Sequence, residues 1–372
     1  MDNCRLKTIF AVCGSCISFY IGAGFATMQE LVQYEASYGS QFPLVILVTV
    51  LIYIYTNISF ASNGHRFRLS RGGDIYQIYG SILGQPAGRW IGRFFDYFSA
   101  LFCYMSFVVM CGGASATATQ QWGLSTGIGA VILTFLTVGT VIFGLNGIVK
   151  ALSRIGPVII VMILFVSAVT TFTGRSFIKE GMAQVDSGIY SQAMAQVGGG
   201  NPLASGASYG GFVILWFAAF IAEIGGKNNL RSVHTGMLLS TLCIFGSAAL
   251  CCTAILAHID ATATADIPAL VLAGQISPAI AQIFAIVICA GIYTSAVPLL
   301  WTGVRSVSHE GTPMYRIVTI GLGAIGCGIA CLVPYKGLIN VLYGLNGYLG
   351  FLLVFFMILH DAKMVLSKCA DK

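Results

Sequence analysis

Charge is what this sequence has least of. Of its 372 residues only 9% are Asp, Glu, Lys or Arg, while 57% are hydrophobic; a soluble domain carries about 25% charged residues. So few charges cannot cover the surface of a water-soluble protein of this size, whereas a lipid-facing surface needs no such cover. Histidine is scarce too, and the five present (His65, His234, His258, His309, His360) lie near the ends of apolar runs rather than together at depth. That scatter argues against a membrane-embedded enzyme, which needs a metal-ligand cluster or a nucleophile–base set. Cys13-x-x-Cys16 has metal-type spacing but lacks a second Cys or His pair, and most of the twelve cysteines sit inside apolar segments, where they act as small, soft hydrophobes. A repeated ring of charges or carbonyls, the usual mark of a channel, is missing, as is a soluble output domain that a sensor would use. The net charge of +6 does not point to nucleic acid, because the bases fall in short clusters between apolar runs.

What is present is a series of long apolar stretches. A helix needs about 20 apolar residues to cross the hydrocarbon core, and ten candidates meet that length: 8–34, 41–62, 90–120, 124–144, 146–172, 207–226, 233–258, 278–304, 314–333 and 336–360. Their apolar residues are not confined to one stripe, which marks embedded rather than amphipathic helices. The first run follows Arg5 and Lys7 and resembles a signal peptide ending near Ala23–Ala26. It continues through Phe25 to Tyr34, however, and many more spans follow, so an uncleaved first helix is expected. With both termini in the cytoplasm of a cell (inner) membrane, only Arg175, Lys179 and Lys336 of the 19 Lys and Arg fall on the outer side. That asymmetry obeys the positive-inside rule and supports the count of ten.

The tetrad Gly144-Leu145-Asn146-Gly147 returns 200 positions later as Gly344-Leu345-Asn346-Gly347, in spans five and ten. Two halves of five spans each are inverted relative to one another, an arrangement common among secondary transporters. The expected organisation is a first five-helix repeat over 1–172, an extracellular loop over 173–206, and a second, inverted repeat with a short cytoplasmic tail over 207–372.

Within the first span, Gly22 and Gly24 each cost roughly 1 kcal/mol relative to Ala in a helix interior. They invite the backbone to unwind at mid-membrane depth, which is tolerated only where it is buried in protein or lines a wet cavity. Amides freed there would face an anionic ligand group. Close packing of small residues is the competing account of these glycines, and it suffices for Gly321, Gly323, Gly326 and Gly328 in the ninth span. The polar Thr27, Gln29 and Glu30 beyond the break favour a functional role for Gly22 and Gly24.

The segment Ile21-Gly-Ala-Gly-Phe-Ala-Thr-Met-Gln-Glu30 resembles the first-helix signature of the YkvI-type permeases, relatives of the amino acid–polyamine–organocation superfamily. The likeness extends to the ten-span layout. It implies the leucine-transporter fold: an all-α integral membrane protein of two inverted five-helix repeats, with helices 1 and 6 discontinuous around a central site. The sixth span lacks a central Gly or Pro, so its break is expected near Phe217–Ala222. The resemblance also gives Gly291-Ile292-Tyr293-Thr294-Ser295 in the eighth span a meaning. Sodium-coupled members of this fold use a small residue, two spacers and a hydroxyl pair at this place. Na⁺ would then be held by the Thr294 and Ser295 hydroxyls and the carbonyls of Gly291, Ser18 and Ile21. Bonding of the two hydroxyls back to carbonyls one turn earlier is the ordinary alternative.

Acids inside spans are functional candidates. Glu30 has no base within a turn and is the first candidate for a substrate amine, a gate or a proton. Asp96 is expected to pair with Arg93 or Arg89, and Glu223 with Lys227 one turn on. The resemblance places a hydroxyl such as that of Tyr104 over the site. Ala23, Gly24, Phe25, Glu30, Phe107, Trp216, Phe217 and Phe220 are the further candidates for the substrate wall, with Tyr293 beside them, and ordinary packing is the competing account of each aromatic. Such a wall would hold a cationic amine by cation–π attraction of about 1–2 kcal/mol. The function expected is a symporter for a small polar solute, an amino acid or related amine, with Na⁺ as coupling ion and no cofactor. A proton-coupled or uncoupled carrier of the same fold is the alternative, and an enzyme or sensor the alternative of a different class. The only partners expected are the solute and the lipid bilayer.

Overall fold

The computed structural model describes residues 2–143 and 155–370; the first Gly-Leu-Asn-Gly tetrad, Lys150 and Arg154 lie outside the described residues. Among the described residues the regular structure is entirely helical. In chain order it comprises α1 (Asp2–Tyr20), α2 (Ala23–Ala26), α3 (Gln29–Tyr34), α4 (Phe42–Arg66), α5 (Asp74–Gly80), α6 (Gln85–Trp122), α7 (Ile128–Phe143) and α8 (Ile155–Thr173). It continues with α9 (Ile178–Asp186), α10 (Pro202–Lys227), α11 (Leu230–Ala257), α12 (Ile259–Thr262), α13 (Pro268–Ile276), α14 (Pro278–Arg305), α15 (Pro313–Leu332) and α16 (Tyr335–Ala370). Within the described residues the apolar runs coincide with helices or broken helices. Among the described residues six helices are individually long and apolar enough to cross a bilayer, or eight where each of two bent pairs forms one span.

The first span is interrupted at Ile21–Gly22, as its glycines predict. The sixth span behaves differently. α10 remains helical from end to end but bends by 54° between Pro202–Leu215 and Phe217–Lys227. The discontinuity thus takes the form of a bend, at the near edge of the expected stretch, because no Gly or Pro is there to open the ladder. The fifth span turns by 95° into α9 over the intervening residues.

Large apolar side chains such as Phe135 (80% exposed) and Leu332 (85%) cover the outside, where a soluble protein rarely exposes apolar surface so freely. Buried hydroxyls bond back along their own helices, for example Thr49 to the Val45 carbonyl (3.0 Å) and Thr170 to the Val166 carbonyl (2.7 Å). That local bonding satisfies them without water.

Close packing centres on α10. A Cβ on Gly206 would sit 2.5 Å from the Val45 carbonyl oxygen of α4, one on Gly225 would sit 2.4 Å from that of Ala61, and one on Gly211 would sit 2.6 Å from that of Gly347 in α16. Association in lipid relies on such small-residue approach, since burying apolar surface gains little there. These contacts also give the ends of the helices a common side. Gly64 near the end of α4 meets Ala222 near the end of α10, Gly236 at the start of α11 meets Ile9 near the start of α1, and Asn63 of α4 bonds Asp361 of α16 at 3.3 Å. α1 therefore starts and α16 ends on one face, called here the N-terminal face.

Two acids can be checked directly. Glu223 pairs with Lys227 as the spacing predicts, in an exposed pair of the kind that contributes about 0.3–0.5 kcal/mol. Asp96 does not pair with Arg93 or Arg89. It lies against Gly73, where a Cβ would be 2.4 Å from its Oδ1, and Arg71 is the base that acts on it. The loop before α5, invisible to a single-helix argument, supplies this neighbour.

The glycine contacts make a prediction. A Cβ on Gly350 of α16 would lie 1.9 Å from the Gly211 carbonyl oxygen, whereas one on Gly328 of α15 meets nothing within 4 Å. Gly350→Ala should lower stability by about 1–3 kcal/mol, the usual effect of overpacking. Gly328→Ala should leave it unchanged or raise it, since Ala favours helix by about 1 kcal/mol. Thermal unfolding of the two purified variants in one detergent checks this; equal melting temperatures would mean that α10 and α16 do not approach so closely.

Candidate functional site

The break determines the local chemistry. In an unbroken helix the Gly22 amide would donate to the Ser18 carbonyl; here it turns back to Tyr20 O at 2.9 Å. The Ser18 carbonyl thereby loses its helical donor. Past the break, Ala26 N donates to Gly22 O (3.0 Å), and the Thr27 hydroxyl to Gly24 O (3.0 Å). Met28 then adopts a left-handed conformation, φ 62°, which sets off the short α3. A left-handed Met is costly and persists only where its surroundings enforce it; its side chain is fully buried.

A cavity of 840 Å³ rises to this break from the N-terminal face. One wall is α1 from Phe10 onward together with Ile21 and Gly22 of the break. The others come from α6 (Ser99, Cys103), α10 (Leu215, Ala219, Phe220) and α14 (Thr294, Ser295, Pro298, Thr302). Four of the five residues expected to hold a cation, namely Ser18, Ile21, Thr294 and Ser295, therefore share one cavity. Gly291 lies a turn deeper in α14, and its carbonyl accepts the Thr294 hydroxyl at 2.7 Å. This is the back-bonding expected of a threonine in hydrocarbon, yet it uses only the hydroxyl proton and leaves the oxygen lone pairs free to accept. Pro298 adds a second irregularity, for it has no N–H to give the Thr294 carbonyl four residues before it. α1 and α14 thus each bring to the cavity a backbone carbonyl lacking its usual donor.

The expected substrate wall divides. Phe220 lines the cavity and stacks on Phe19, ring centroids 4.5 Å apart. Phe217 is buried beneath it, edge-on to Phe19 at 5.3 Å and to Tyr53 at 5.3 Å. Gly24 and Phe25 lie just beyond the break and are buried. Tyr104 and Phe107 turn away from the cavity. The Tyr104 hydroxyl donates to the Leu322 carbonyl of α15 at 3.0 Å, and Phe107 packs against Gly326 of that helix. Tyr293 is drawn to α7 by a 2.6 Å bond between its hydroxyl and that of Thr140. The side chains of Ala23 and Trp216 lie outside the described residues. Glu30 is 4% exposed, on the far side of the break, where Tyr209 OH donates to its Oε1 at 2.8 Å. Ser99, Cys103 and Ala219 escaped sequence reasoning; Pro298, a proline inside a long apolar run, was the one signal nearby.

On the side opposite the cavity the structure is shut. Thr27 and Tyr335 share a hydroxyl–hydroxyl bond of 3.1 Å, Gln33 donates to the Lys336 carbonyl (3.2 Å), and the Ala269 amide to Thr27 O (3.2 Å). Ser205 donates to Tyr34 O at 2.7 Å, and the Gln120 side chain holds Ile267 by two bonds of 2.9 Å. These contacts tie Thr27 to α13 and α16, α3 to α10 and α16, and α6 to the segment before α13. The site is thus open toward one face and sealed toward the other.

That asymmetry is directly testable. In vesicles of known orientation, Ser295→Cys should react readily with an impermeant maleimide applied to the N-terminal face, and Thr27→Cys should be protected, each read by site-resolved mass spectrometry. Equal labelling from the two faces would contradict the seal.

No family model matches this chain, and no curated protein matches it. Two crystal structures of a manganese transporter from Eremococcus coleocola do, one of a point mutant and one in complex with an aromatic bis-isothiourea substituted compound. Each aligns with 96% of this chain and 78% of its own, at a TM-score of 0.50 and with 15% and 14% sequence identity respectively. At that identity the likeness is one of architecture. The chain is an all-helical membrane protein with the fold of a transporter.

Proposed function

We propose that the protein is a secondary active transporter that moves a small polar solute across a cell membrane by alternating access. The observation that carries this reading is the cavity that ends at a broken helix, open to one face and sealed from the other. A carrier needs a central site reached from one side at a time, and a channel does not. The solute class we favour is an amino acid or related small amine. Amides and carbonyls left without helical partners around Ile21–Gly22 suit the two ends of such a molecule, and Phe19 and Phe220 offer an apolar wall. Among the described residues the cavity lining carries no Asp, Glu or His, which favours a zwitterionic amino acid over a cationic amine. Manganese, the cargo of the structural neighbours, favours hard oxygen ligands, carboxylate above all, with carbonyls and water. Among the described residues no carboxylate lines the cavity, and there is no cluster of three or more His, Cys, Asp or Glu able to hold a metal.

Sodium is the coupling ion we favour, held between α1 and α14 by Ser18, Ile21, Gly291, Thr294 and Ser295, with the N-terminal face toward the cytoplasm. What supports it is the convergence of two hydroxyls and two donor-deprived carbonyls on one cavity. Membership of the YkvI-type permeases, the inverted five-helix repeats over 1–172 and 207–372, and the count of ten crossings belong to the same proposal.

The test is a thermal-shift screen of the purified protein against amino acids and amines, in Na⁺ and in choline. A hit should bind more tightly in Na⁺. Thr294→Ala/Ser295→Ala should erase that difference, because binding free energies couple equally in both directions. Two polar ligands lost from a dry site cost roughly 2 kcal/mol or more, so Na⁺ affinity should fall more than tenfold. Wild-type binding indifferent to Na⁺ would assign the hydroxyls to ordinary back-bonding.

A further inference from the structure

Glu35 stands at the joint between α3 and the 3-10 turn Ala36–Gln41, on the sealed side of the break. Its backbone (φ −119°, ψ −66°) closes α3 through a 3.0 Å bond from its amide to Leu31 O. Its side chain is 0% exposed. One oxygen, Oε2, accepts the Cys252 thiol of α11 at 3.1 Å. The other, Oε1, has no partner among the described residues.

The titratable groups facing this carboxyl are all acids. They are Cys252 and Cys251 from α11, Tyr209 from α10 and Tyr20 from α1, while Glu30, one turn and a half back along the chain, acts on Tyr20 and Tyr209 as well. Among the described residues no base faces it. A thiol is a weak donor, and an ionised carboxylate with a single weak donor in a dry site is very costly, so the group takes up a proton instead. The neutral acid forgoes one hydrogen bond and no charge solvation.

We propose that Glu35 is a proton-binding site of the sealed face, occupied while that face is shut and emptied when it opens. The step is Glu–COO⁻ + H⁺ ⇌ Glu–COOH, with the proton exchanged with water that enters as α3 parts from α10 and α11. Deprotonation places a charge where only the opened face can solvate it, so rising pH weakens the seal. Protonation in the shut state stands independently of any transported solute. The link to opening rests on the alternating-access reading, and it makes the proton a second ion that the cycle must handle.

The experiment is infrared spectroscopy of the purified protein in nanodiscs, with ¹³C-glutamate labelling to separate Glu from Asp. The wild type should show the carbonyl stretch of a protonated glutamic acid at neutral pH. Glu35→Gln should remove this band and Glu30→Gln should keep it. Should Glu35→Gln not fold, Cys252→Ala removes the thiol donor and should move the band to higher frequency. Absence of the band in the wild type, its survival in Glu35→Gln, or an unmoved band in Cys252→Ala would overturn the assignment. Hydrogen–deuterium exchange over residues 29–41, corrected for intrinsic rates, tests the link to opening. Protection should fall several-fold toward alkaline pH in the wild type and stay level in Glu35→Gln. Parallel curves in the two proteins would leave a protonated carboxyl without a role in opening and overturn that half of the proposal, whatever solute the protein carries.

Discussion

A peptide group without a hydrogen bond is far more costly in hydrocarbon than in water, and the architecture of this protein follows from one place where that rule is strained. At Ile21–Gly22 the first helix stops. The Gly22 amide folds back on Tyr20, and the Ser18 carbonyl is left facing the cavity. Such backbone is tolerable only if the rest of the molecule surrounds it with protein on one side and polar space on the other. The glycine-mediated approach of α10 to α4 and α16 provides a rigid frame behind the break. α14, with its hydroxyl pair and Pro298, provides the polar wall in front.

The two halves of the broken helix meet opposite environments. Toward the N-terminal face, α1 borders a cavity lined by small hydroxyls and aromatic rings. Beyond the break, α3 is buried on every side, and bonds to α10 and α16 hold it. The polar residues of Thr27–Glu35 are therefore spent on a seal in this conformation. Glu30 acts through Tyr209 there rather than within the cavity. A motion that broke those bonds would have to hydrate two buried carboxyls, Glu30 and Glu35, together.

Much of this was legible in the residues themselves. The scarcity of charge and the length of the apolar runs located the spans, since no other solvent suits such a composition. Gly22 and Gly24 located the break, because a glycine pair at that depth has no helical preference to lose. The Glu223–Lys227 pair followed from a one-turn spacing. The orientation of Tyr104 and Phe107 did not follow, nor did the partner of Asp96. A helix apolar on all sides carries no stripe that says which way it is rotated. The Leu322 carbonyl of α15 and the loop before α5 settled those matters. Asp96 and Glu35 illustrate the same limit from two directions: one found a neighbour that no helical spacing offers, the other found almost none.

The sequence by itself determined the solvent, the helical class, the approximate positions of the spans and the point at which the first one breaks, because hydropathy and glycine content act locally along the chain. Only the tertiary structure decided that the α1 break and the α14 hydroxyls share one cavity, that the cavity opens toward a single face, and that Glu35 is buried beside a lone thiol. Those facts depend on how each helix is rotated against its neighbours. Backbone approach at glycines and hydrogen bonds between helices set that rotation, and neither is written in any one segment.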